Sequence, residues 1–263
     1  MHADNTLQPA RGRLALTRAV SPEIAHCELT HQERRPIDAD RAAAQHGHYE
    51  RLLASLGCEI RRVEPAPSIP DSVFIEDTAV VLPELAVITR PGAPGRRAEV
   101  DGVAVALEGI RPVRRIEPPG TLDGGDVLVI GRHVRVGASG RTNHEGARQL
   151  RAILRPFGYQ VTRVPVRHCL HLKTAVTDAA EGLVVVNPEW VDEAEFADLD
   201  RIRVASDEPF AANVLRVGDA VVMAEAHRIT RQRLERRGLA VSIVDVSELA
   251  LAEGGVTCCV LLA

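Results

Sequence analysis

Two adjacent cysteines near the end of the sequence, Cys258 and Cys259, offer a strong nucleophile. The thiolate is the reactive form of cysteine, and it needs a nearby cation or base. The run from Val256 onward is predicted as a strand, in which neighbouring side chains point to opposite faces. At most one of the two thiols can therefore line a given pocket. The alternative is that both are core residues, because cysteine is among the most buried residue types.

Two further segments hold a histidine and acids that could support such a nucleophile. Residues 170–174 are predicted as a short strand with His171 and Lys173 on one face, and His168 is the competing histidine nearby. Asp123 and Asp126 flank a Gly-Gly pair, which in itself indicates a turn. A cysteine, a histidine and a carboxylate from separate strands would match the general logic of a catalytic triad.

Three more carboxylates lie close together in residues 70–78, a segment that we predict to be extended. Asp71 and Asp77 are six residues apart and share a face at a period of two, whereas Glu76 points the other way. Acids gathered on one face could surround a bound cation. The alternative for this segment is a solvated strand end.

Composition excludes several classes of protein. The 263 residues carry a net charge of −4 without a long basic block, which argues against nucleic acid as a partner. No apolar run is long enough to span a membrane, and the first residues lack the features of a signal peptide. Five scattered cysteines without a CxxC pair favour a reducing cytoplasm and argue against a structural zinc site.

Short apolar β-branched runs alternate with helix-like segments, which indicates an α/β fold. We predict a loose tail over residues 1–12 and a single catalytic domain over residues 13–263. Asp38 is suited to cap the first helix, and residues 142–145 resemble a capping box. The helices are predicted at residues 38–56, 96–109, 143–156, 191–198, 228–237 and 247–252. The strands are predicted at residues 78–82, 86–89, 127–130, 134–137, 183–186, 220–223 and from 256 onward.

A weak internal rhythm runs through the chain. Polar clusters occur near Glu76, Asp123, His171, Asn213 and Cys258, at intervals of 42 to 48 residues. About five units of strands plus helix, closing on themselves, would bring one cluster from each unit to a shared centre. This pattern predicts an α/β propeller or barrel with one central pocket.

The same segments carry a resemblance to a known family. The chain resembles the dimethylarginine dimethylaminohydrolases of the guanidine-modifying pentein superfamily, whose motifs occur here in family order over about residues 18–263. The matching segments are Asp71-Ser-Val-Phe-Ile-Glu-Asp77, Ile88-Thr-Arg-Pro-Gly-Ala-Pro-Gly-Arg-Arg97, Leu122-Asp-Gly-Gly-Asp-Val-Leu128, Gly140-Arg-Thr-Asn143, Leu170-His-Leu-Lys173 and Thr257-Cys-Cys259.

This resemblance implies a five-fold pseudo-symmetric α/β propeller with a central active site. It implies that Cys258 is the nucleophile, His171 the general acid and base, and Asp123 its orienting carboxylate. By the same resemblance, the substrate's guanidinium and amino groups would contact Asp71, Glu76 and Asp77, its α-carboxylate would contact Arg96 and Arg141, and its α-amino group would contact the carbonyls of Leu29 and Ala252.

The implied activity is hydrolysis of an N-omega-methylated arginine to citrulline and an alkylamine, without a metal or cofactor. Two alternatives are an arginine deiminase-like enzyme that releases ammonia and a protein that binds methylarginine without turnover. A third is a zinc protein, in which Cys258 and His171 would trap an inhibitory ion. Residues 26–36 are predicted as a lid, and a homodimer is a further expectation.

We predict opposite outcomes for the two adjacent cysteines. Cys258→Ser should abolish citrulline release because the nucleophile is lost. Cys259→Ser should leave the rate largely intact and serves as the matched control. Loss of activity in the Cys259 variant alone would assign the nucleophile to that residue.

Overall fold

The strands form five separate sheets of three strands each. The computed structural model describes residues 13–263, so the predicted tail over residues 1–12 lies outside the described residues. The strands are β1 (Leu14–Thr17), β2 (Glu59–Arg62), β3 (Ala79–Val81), β4 (Ala86–Ile88), β5 (Val113–Arg115), β6 (Val127–Ile130), β7 (His133–Ala138), β8 (Gln160–Pro165), β9 (Val176–Ala180), β10 (Leu183–Val186), β11 (Asp200–Arg203), β12 (Val214–Val217), β13 (Ala220–Ala224), β14 (Ala240–Val244) and β15 (Leu261–Leu262).

Every sheet repeats one pairing pattern. In the sheet β3-β4-β5, the first two strands pair antiparallel and the third joins the second in parallel orientation. The sheets β6-β7-β8, β9-β10-β11 and β12-β13-β14 repeat this order. The fifth sheet, β15-β1-β2, follows the same rule by pairing β15 with β1, with Ala15 opposite Leu262. Five equivalent units thus close into a ring, which confirms the predicted five-fold α/β propeller.

The α-helices are α1 (Ala39–Ser55), α2 (Val100–Glu108), α3 (His144–Leu154), α4 (Leu172–Ala175), α5 (Arg228–Arg236) and α6 (Ser247–Leu251), with short 3-10 helices at Ile24–His26, Ile75–Thr78, Pro94–Glu99, Gly124–Asp126, Arg155–Phe157 and Glu193–Phe196. In four units the connection between the parallel strands contains a helix, namely α1, α2, α3 or α5. Asp38 caps α1 by accepting a hydrogen bond from the amide of Arg41 at 3.0 Å, as predicted.

Three predicted helices differ from the observed ones. The helix predicted from residue 96 begins as a 3-10 helix at Pro94, whose fixed φ suits a first helical position, and becomes α-helical only at Val100. The helix predicted over residues 191–198 is a single 3-10 turn at Glu193–Phe196. At the start of α3 the cap is Asn143 rather than Thr142, and its side chain accepts a hydrogen bond from Gly146 at 2.8 Å.

Three segments predicted as strands contain turns instead. His171 is extended but precedes the short helix α4, so residues 170–174 are not a strand. Residues 75–78 form a 3-10 helix, and only Leu261 and Leu262 of the final segment are in a strand. In the first segment, the buried carboxylate of Asp126 accepts the backbone amide of Leu172, which a strand would use for pairing.

Five apolar clusters hold the ring together, and each joins two neighbouring units. One cluster combines Val87 of β4 and Val136 of β7 with Leu150 of α3. In that helix Ala147, Leu150 and Leu154 are buried, as their helical spacing predicts. The other clusters join the remaining neighbouring pairs in the same way. No unit therefore buries its apolar side chains alone.

The first strand of each unit faces the centre of the ring. Residues of β3, β6, β9, β12 and β15 together line one polar cavity, which also contacts Glu76, Lys173 and Thr257 at its inner end. We call this space the axial cavity.

Among residues 13–263, no helix is both long and apolar enough to cross a membrane.

Gly124 offers a test of how tightly neighbouring units meet at the centre. A Cβ at this position would overlap the carbonyl oxygen of Glu76 in the preceding unit. We expect Gly124→Ala to lower the free energy of unfolding by about 1–3 kcal/mol, because backbone atoms cannot move aside cheaply. Gly109→Ala is the control, since a Cβ there meets nothing within 4 Å. Urea denaturation measures both, and equal effects would contradict the tight contact.

Candidate active site

Polar side chains precede the first strand of every unit, so the ring gathers them at one end of its axis. Because each unit enters the centre in the same orientation, residues far apart in sequence become neighbours. They are Glu76 and Asp77 before β3, Asp123 and Asp126 before β6, His171 and Lys173 before β9, Asn213 before β12, and Thr257 and Cys258 before β15. These are the positions that the sequence rhythm indicated.

A small cavity opens at this end of the ring, and we call it the central pocket. Seven of the ten predicted site residues line it, whereas Glu76, Asp123 and Leu29 do not. The lining residues are Glu28, Asp71, Phe74, Asp77, Arg96, Arg141, Leu170, His171, Ala252, Glu253, Gly254 and Cys258. Glu28, Phe74, Leu170, Glu253 and Gly254 were not predicted as site residues, although each lies within two residues of one that was.

His171 lies between two carboxylates in the wall of the pocket. Its Nε2 is 3.0 Å from Oδ2 of Asp123, and its Nδ1 is 3.7 Å from Oδ1 of Asp77. Burial of the imidazole favours its neutral form, but Asp77, Asp123 and Asp126 outweigh burial and raise the pKa of His171 to about 9. The imidazole is therefore a cation at neutral pH in the free protein.

Asp123 lies behind the histidine and is fully buried. Its Oδ1 accepts a hydrogen bond from the amide of Gly92 at 2.8 Å, while Oδ2 faces the imidazole. The carboxylate is thus fixed on both sides, which fixes the orientation of the His171 ring. This arrangement matches the orienting role that the resemblance implied.

Asp126 is a buried acid that was not among the predicted site residues. Its carboxylate accepts hydrogen bonds from the hydroxyls of Ser139 and Thr142 and from the amide of Leu172. Burial raises the pKa of Asp126 to about 6. Because Leu172 follows His171, this bond fixes the turn that carries the histidine. The sequence signal that could have identified Asp126 is its place as the second acid of the Asp-Gly-Gly-Asp motif.

The two cysteines point to different environments. Cys258 lines the central pocket, and its Sγ accepts a hydrogen bond from the amide of Gly255 at 3.2 Å. Cys259 is buried in an apolar cluster with Tyr49 and Leu53. The separation agrees with the prediction that only one thiol lines the pocket, but it arises in a turn and not in a strand. Burial, with the charges of Glu76 and Asp77, raises the pKa of the Cys258 thiol to about 12.

Asp77 and Arg96 form a buried ion pair with Nη1 of the arginine 2.6 Å from Oδ2 of the acid. Burial alone would raise the pKa of Asp77, but the neighbouring cations His171 and Arg96 hold it well below its ordinary value. Arg96 also binds both oxygens of Glu99 and the carbonyl of Phe74. These contacts engage four of the five guanidinium N–H groups, leaving one on Nη1.

Arg141 is less engaged than Arg96. Its Nη2 donates to the hydroxyl of Thr30 at 3.0 Å, and its Nη1 lies 4.0 Å from Oδ2 of Asp123. Within residues 13–263, Nη1 is buried without a hydrogen-bond partner. A buried donor without a partner is costly, so this group is suited to an anionic ligand.

The segment predicted as a lid is fastened over one side of the pocket. The carboxylate of Glu253 accepts hydrogen bonds from three consecutive amides, and Glu253 itself has a φ of 58°. Asp71 accepts a bond from the amide of Glu28 at 3.1 Å, and burial raises the pKa of this acid. The amides bound by Glu253 belong to Thr30, His31 and Gln32.

Glu76 points away from Asp71 and Asp77, as the alternation predicted, and lies outside the pocket to which the resemblance assigned it. Its Oε1 pairs with Nζ of Lys173 at 2.5 Å, and its Oε2 accepts a hydrogen bond from the hydroxyl of Thr257 at 2.7 Å. Both oxygens are engaged, and the side chain faces the axial cavity rather than the central pocket. Contact with a bound guanidinium, which the resemblance implied, is not supported by this placement. Because residues 75–78 form a 3-10 turn, the adjacent side chains of Glu76 and Asp77 point in different directions.

Three ligand atoms of Asp77, Asp123 and His171 lie within 4.8 Å of one another. Such a group could hold a metal ion geometrically. However, each of the three side chains already has protein partners. Asp77 binds Arg96 and Gly125, and Asp123 and His171 bind each other. The donors therefore fit a buried charge network better than an open coordination site.

Known proteins resemble this chain in both sequence and fold. No protein-family model matches the chain. The chain is 43% identical over 246 residues to the N(G),N(G)-dimethylarginine dimethylaminohydrolase of Streptomyces coelicolor, an alignment that covers 93% of this chain and 94% of that protein. It is 38% identical over 223 residues to the enzyme of the same name from Pseudomonas aeruginosa, covering 84% and 88% of the two chains.

Solved structures give the same result. A Pseudomonas aeruginosa enzyme, as a cysteine-to-serine mutant with citrulline, has a TM-score of 0.92 at 34% identity and covers 97% of this chain and 100% of its own. The N-terminal domain of ArgZ, an arginine dihydrolase, has a TM-score of 0.82 at 20% identity, covers 95% and 97%, and shows the common fold alone. By identity and coverage, this chain belongs to the dimethylarginine dimethylaminohydrolase family.

Proposed function

We propose that this protein hydrolyses N-omega-methylated arginine to citrulline and an alkylamine through a covalent intermediate on Cys258. The observation that carries the proposal is the central pocket, where a thiol, a cationic histidine and a buried acid meet. The family relationship supports it, because two relatives are named for this activity. A related enzyme also binds citrulline, the product proposed here.

The two ends of the substrate would meet opposite charges. We assign the α-carboxylate to Arg141, whose Nη1 has no hydrogen-bond partner among the described residues, with help from the remaining N–H of Arg96. The α-amino group would contact Asp71 and the carbonyl of Ala252, which also line the pocket. The contact between the α-amino group and the carbonyl of Leu29 stays a prediction. Anchoring both groups restricts the substrate to a free amino acid and orients the reacting carbon.

The guanidinium would lie against Asp77 in the same pocket as Cys258. Burial, with the charges of Glu76 and Asp77, raises the pKa of the free thiol and keeps it neutral at physiological pH. A bound cation adjacent to the sulfur offsets those acids and lowers the thiol pKa, so substrate binding promotes formation of the nucleophile. The thiol thus becomes reactive chiefly when its target is present.

The proposed reaction has two halves. When the cation binds, Cys258 releases its proton to solvent, and the thiolate attacks the guanidinium carbon. A C–S bond forms as the C=N π bond opens, which gives a tetrahedral adduct. His171 donates its proton to the methylated nitrogen, the C–N bond breaks, and the amine leaves. The neutral His171 then removes a proton from water, and the hydroxide adds to the thiouronium carbon. The C–S bond breaks and the hydroxyl proton is lost to solvent, giving citrulline and thiolate, with His171 protonated again. Asp123 keeps the imidazole oriented throughout.

The alternatives differ in the leaving group or in turnover. A deiminase-like enzyme would release ammonia from arginine, and a binding protein would release nothing. The nucleophile, the acid-base group and its orienting carboxylate all occur in this chain, which favours an enzyme.

The five cysteines are free thiols, which supports the proposed cytoplasmic location. A homodimer and the lack of a cofactor stay predictions.

The raised pKa of His171 predicts a pH-dependent contribution to stability. Folding raises this pKa from 6.5 to about 9, so the added stability is fully present below pH 6.5 and is lost as the pH rises through about 9. Wild type should lose on the order of 3 kcal/mol relative to His171→Gln across this interval. Chemical denaturation of both proteins from pH 6 to 9.5 measures the difference. A difference that is constant with pH would contradict the assignment.

Product analysis tests the proposed function directly. The protein is incubated separately with arginine, N-omega-monomethylarginine and asymmetric dimethylarginine, with Cys258→Ala as the control. We expect citrulline and the matching alkylamine in equal amounts from a methylated substrate, and neither from the control. Ammonia from arginine as the main product would favour the deiminase-like alternative. Saturable binding without citrulline would favour the binding protein.

A further inference from the structure

Asn213 is the one position of the five-fold set that carries an uncharged amide, and neither the sequence rhythm nor the proposed mechanism gives it a role. It precedes β12 and is buried, 8% exposed. Its Oδ1 accepts a hydrogen bond from the amide of Thr257 at 3.1 Å. Its Nδ2 donates to the hydroxyl of Thr257 and to the carbonyl of Lys173, both at 3.0 Å. One side chain therefore joins the turns that carry the thiol and the histidine.

The partners fix the orientation of this amide. The reversed orientation would place Nδ2 against the amide of Thr257 and Oδ1 against the carbonyl of Lys173, pairing donor with donor and acceptor with acceptor. Only an amide at Asn213 satisfies all three groups. A carboxylate would repel the Lys173 carbonyl, and an apolar side chain would leave buried polar groups without partners.

The contacts continue from Thr257 to the nucleophile. The hydroxyl of Thr257 donates to Glu76, and the amide of Glu76 donates to the carbonyl of Cys258 at 3.0 Å. On the other side of the turn, the amide of Gly255 donates to the Cys258 sulfur at 3.2 Å. The sulfur is therefore held by a turn whose middle, Thr257, is fixed by Asn213.

Gly255 packs directly against the same amide. A Cβ on Gly255 would overlap Oδ1 of Asn213, and it would lie 2.6 Å from Cγ, far closer than such atoms approach in proteins. The glycine is needed for space rather than for an unusual backbone angle, because its φ is not positive. The side chain of Asn213, which belongs to the unit of β12, therefore packs directly against the turn 255–258 of the neighbouring unit.

We infer that Asn213 is a positioning residue that sets the place of the Cys258 sulfur by holding the turn 255–258 against the backbone of Lys173. The inference rests on the proposed function, because it assigns the nucleophile to Cys258. Asn213 does not line the central pocket, so it acts through Thr257 and Gly255. Its loss should impair the chemical step more than substrate binding.

Asn187 supplies a matched control for the test. It is also a buried asparagine at the end of a strand, 3% exposed, and its amide binds the carbonyl of Pro209 and the amide of Glu189, both at 3.0 Å. None of these groups contacts the central pocket. Asn187→Ala therefore removes a comparable buried amide without touching the nucleophile's turn.

The first experiment compares kinetics of wild type, Asn213→Ala and Asn187→Ala with an N-omega-methylated arginine. Since a displacement of a reacting group by about 1 Å can lower a rate by about 100-fold, we expect Asn213→Ala to lower kcat by about 10- to 100-fold. KM should stay within about threefold, because this residue touches no pocket-lining carboxylate or arginine. Asn187→Ala should leave both constants near wild type. Equal kinetics for the two variants would overturn the inference.

A second measurement does not need turnover. Iodoacetamide alkylation of Cys258 is followed by mass spectrometry of its peptide from pH 6 to 10. Asn213→Ala should shift the pH profile or slow alkylation about tenfold or more, because the Gly255 amide no longer holds the sulfur. Asn187→Ala should match wild type. If wild type releases no citrulline, the proposed function fails while this measurement still decides the role of Asn213: an unchanged profile overturns it.

A double-mutant cycle with Gly255→Ala tests the contact itself. In the wild-type background the added methyl group presses on the amide, and kcat should fall. In the Asn213→Ala background the overlapping atoms are absent, so the same change should have a smaller effect. Equal effects in both backgrounds would overturn the inference. Should Asn213→Ala fail to fold, Gly255→Ala alone decides: an unchanged kcat and alkylation profile would overturn it.

Discussion

Negative charge buried at the centre of the ring is the constraint on which the site depends. Asp77, Asp123 and Asp126 are each nearly inaccessible to water, and an isolated carboxylate could not remain ionised there. Asp77 is balanced by Arg96, and Asp123 by the cationic His171. Asp126 relies on two hydroxyls and a backbone amide, and its pKa rises accordingly. The network supplies the protonated imidazole and leaves an acidic pocket that is complementary to a guanidinium.

The five-unit ring turns a local feature into a shared centre. Every unit enters the axis through a polar turn, so five short segments that are weak signals in sequence meet within one network. The turns differ in chemistry: acids precede β3 and β6, a histidine and a lysine precede β9, an amide precedes β12 and a thiol precedes β15. The amide of Asn213 donates through Nδ2 and accepts through Oδ1, which suits it to join two turns.

The sequence predicted the fold and much of the site because residue types at the centre are limited by chemistry. Cys258 and His171 lie in the expected pocket, and Asp123 lies behind the imidazole. Period-two alternation placed Glu76 opposite Asp71 and Asp77, and the side chain does face the other cavity, although the backbone there is a 3-10 turn and not a strand. Edge strands such as β2, Glu-Ile-Arg-Arg, were missed because they are largely exposed and lack an apolar pattern.

Closure by the pairing of β15 with β1 distinguishes this ring from an open array of repeats. In an open array a terminal repeat has one neighbour and can fray, whereas here every unit borders two apolar clusters. Detaching any unit would expose both clusters at once. The scaffold therefore has no weakest end, and its cooperativity protects the buried charges from water until the whole ring opens.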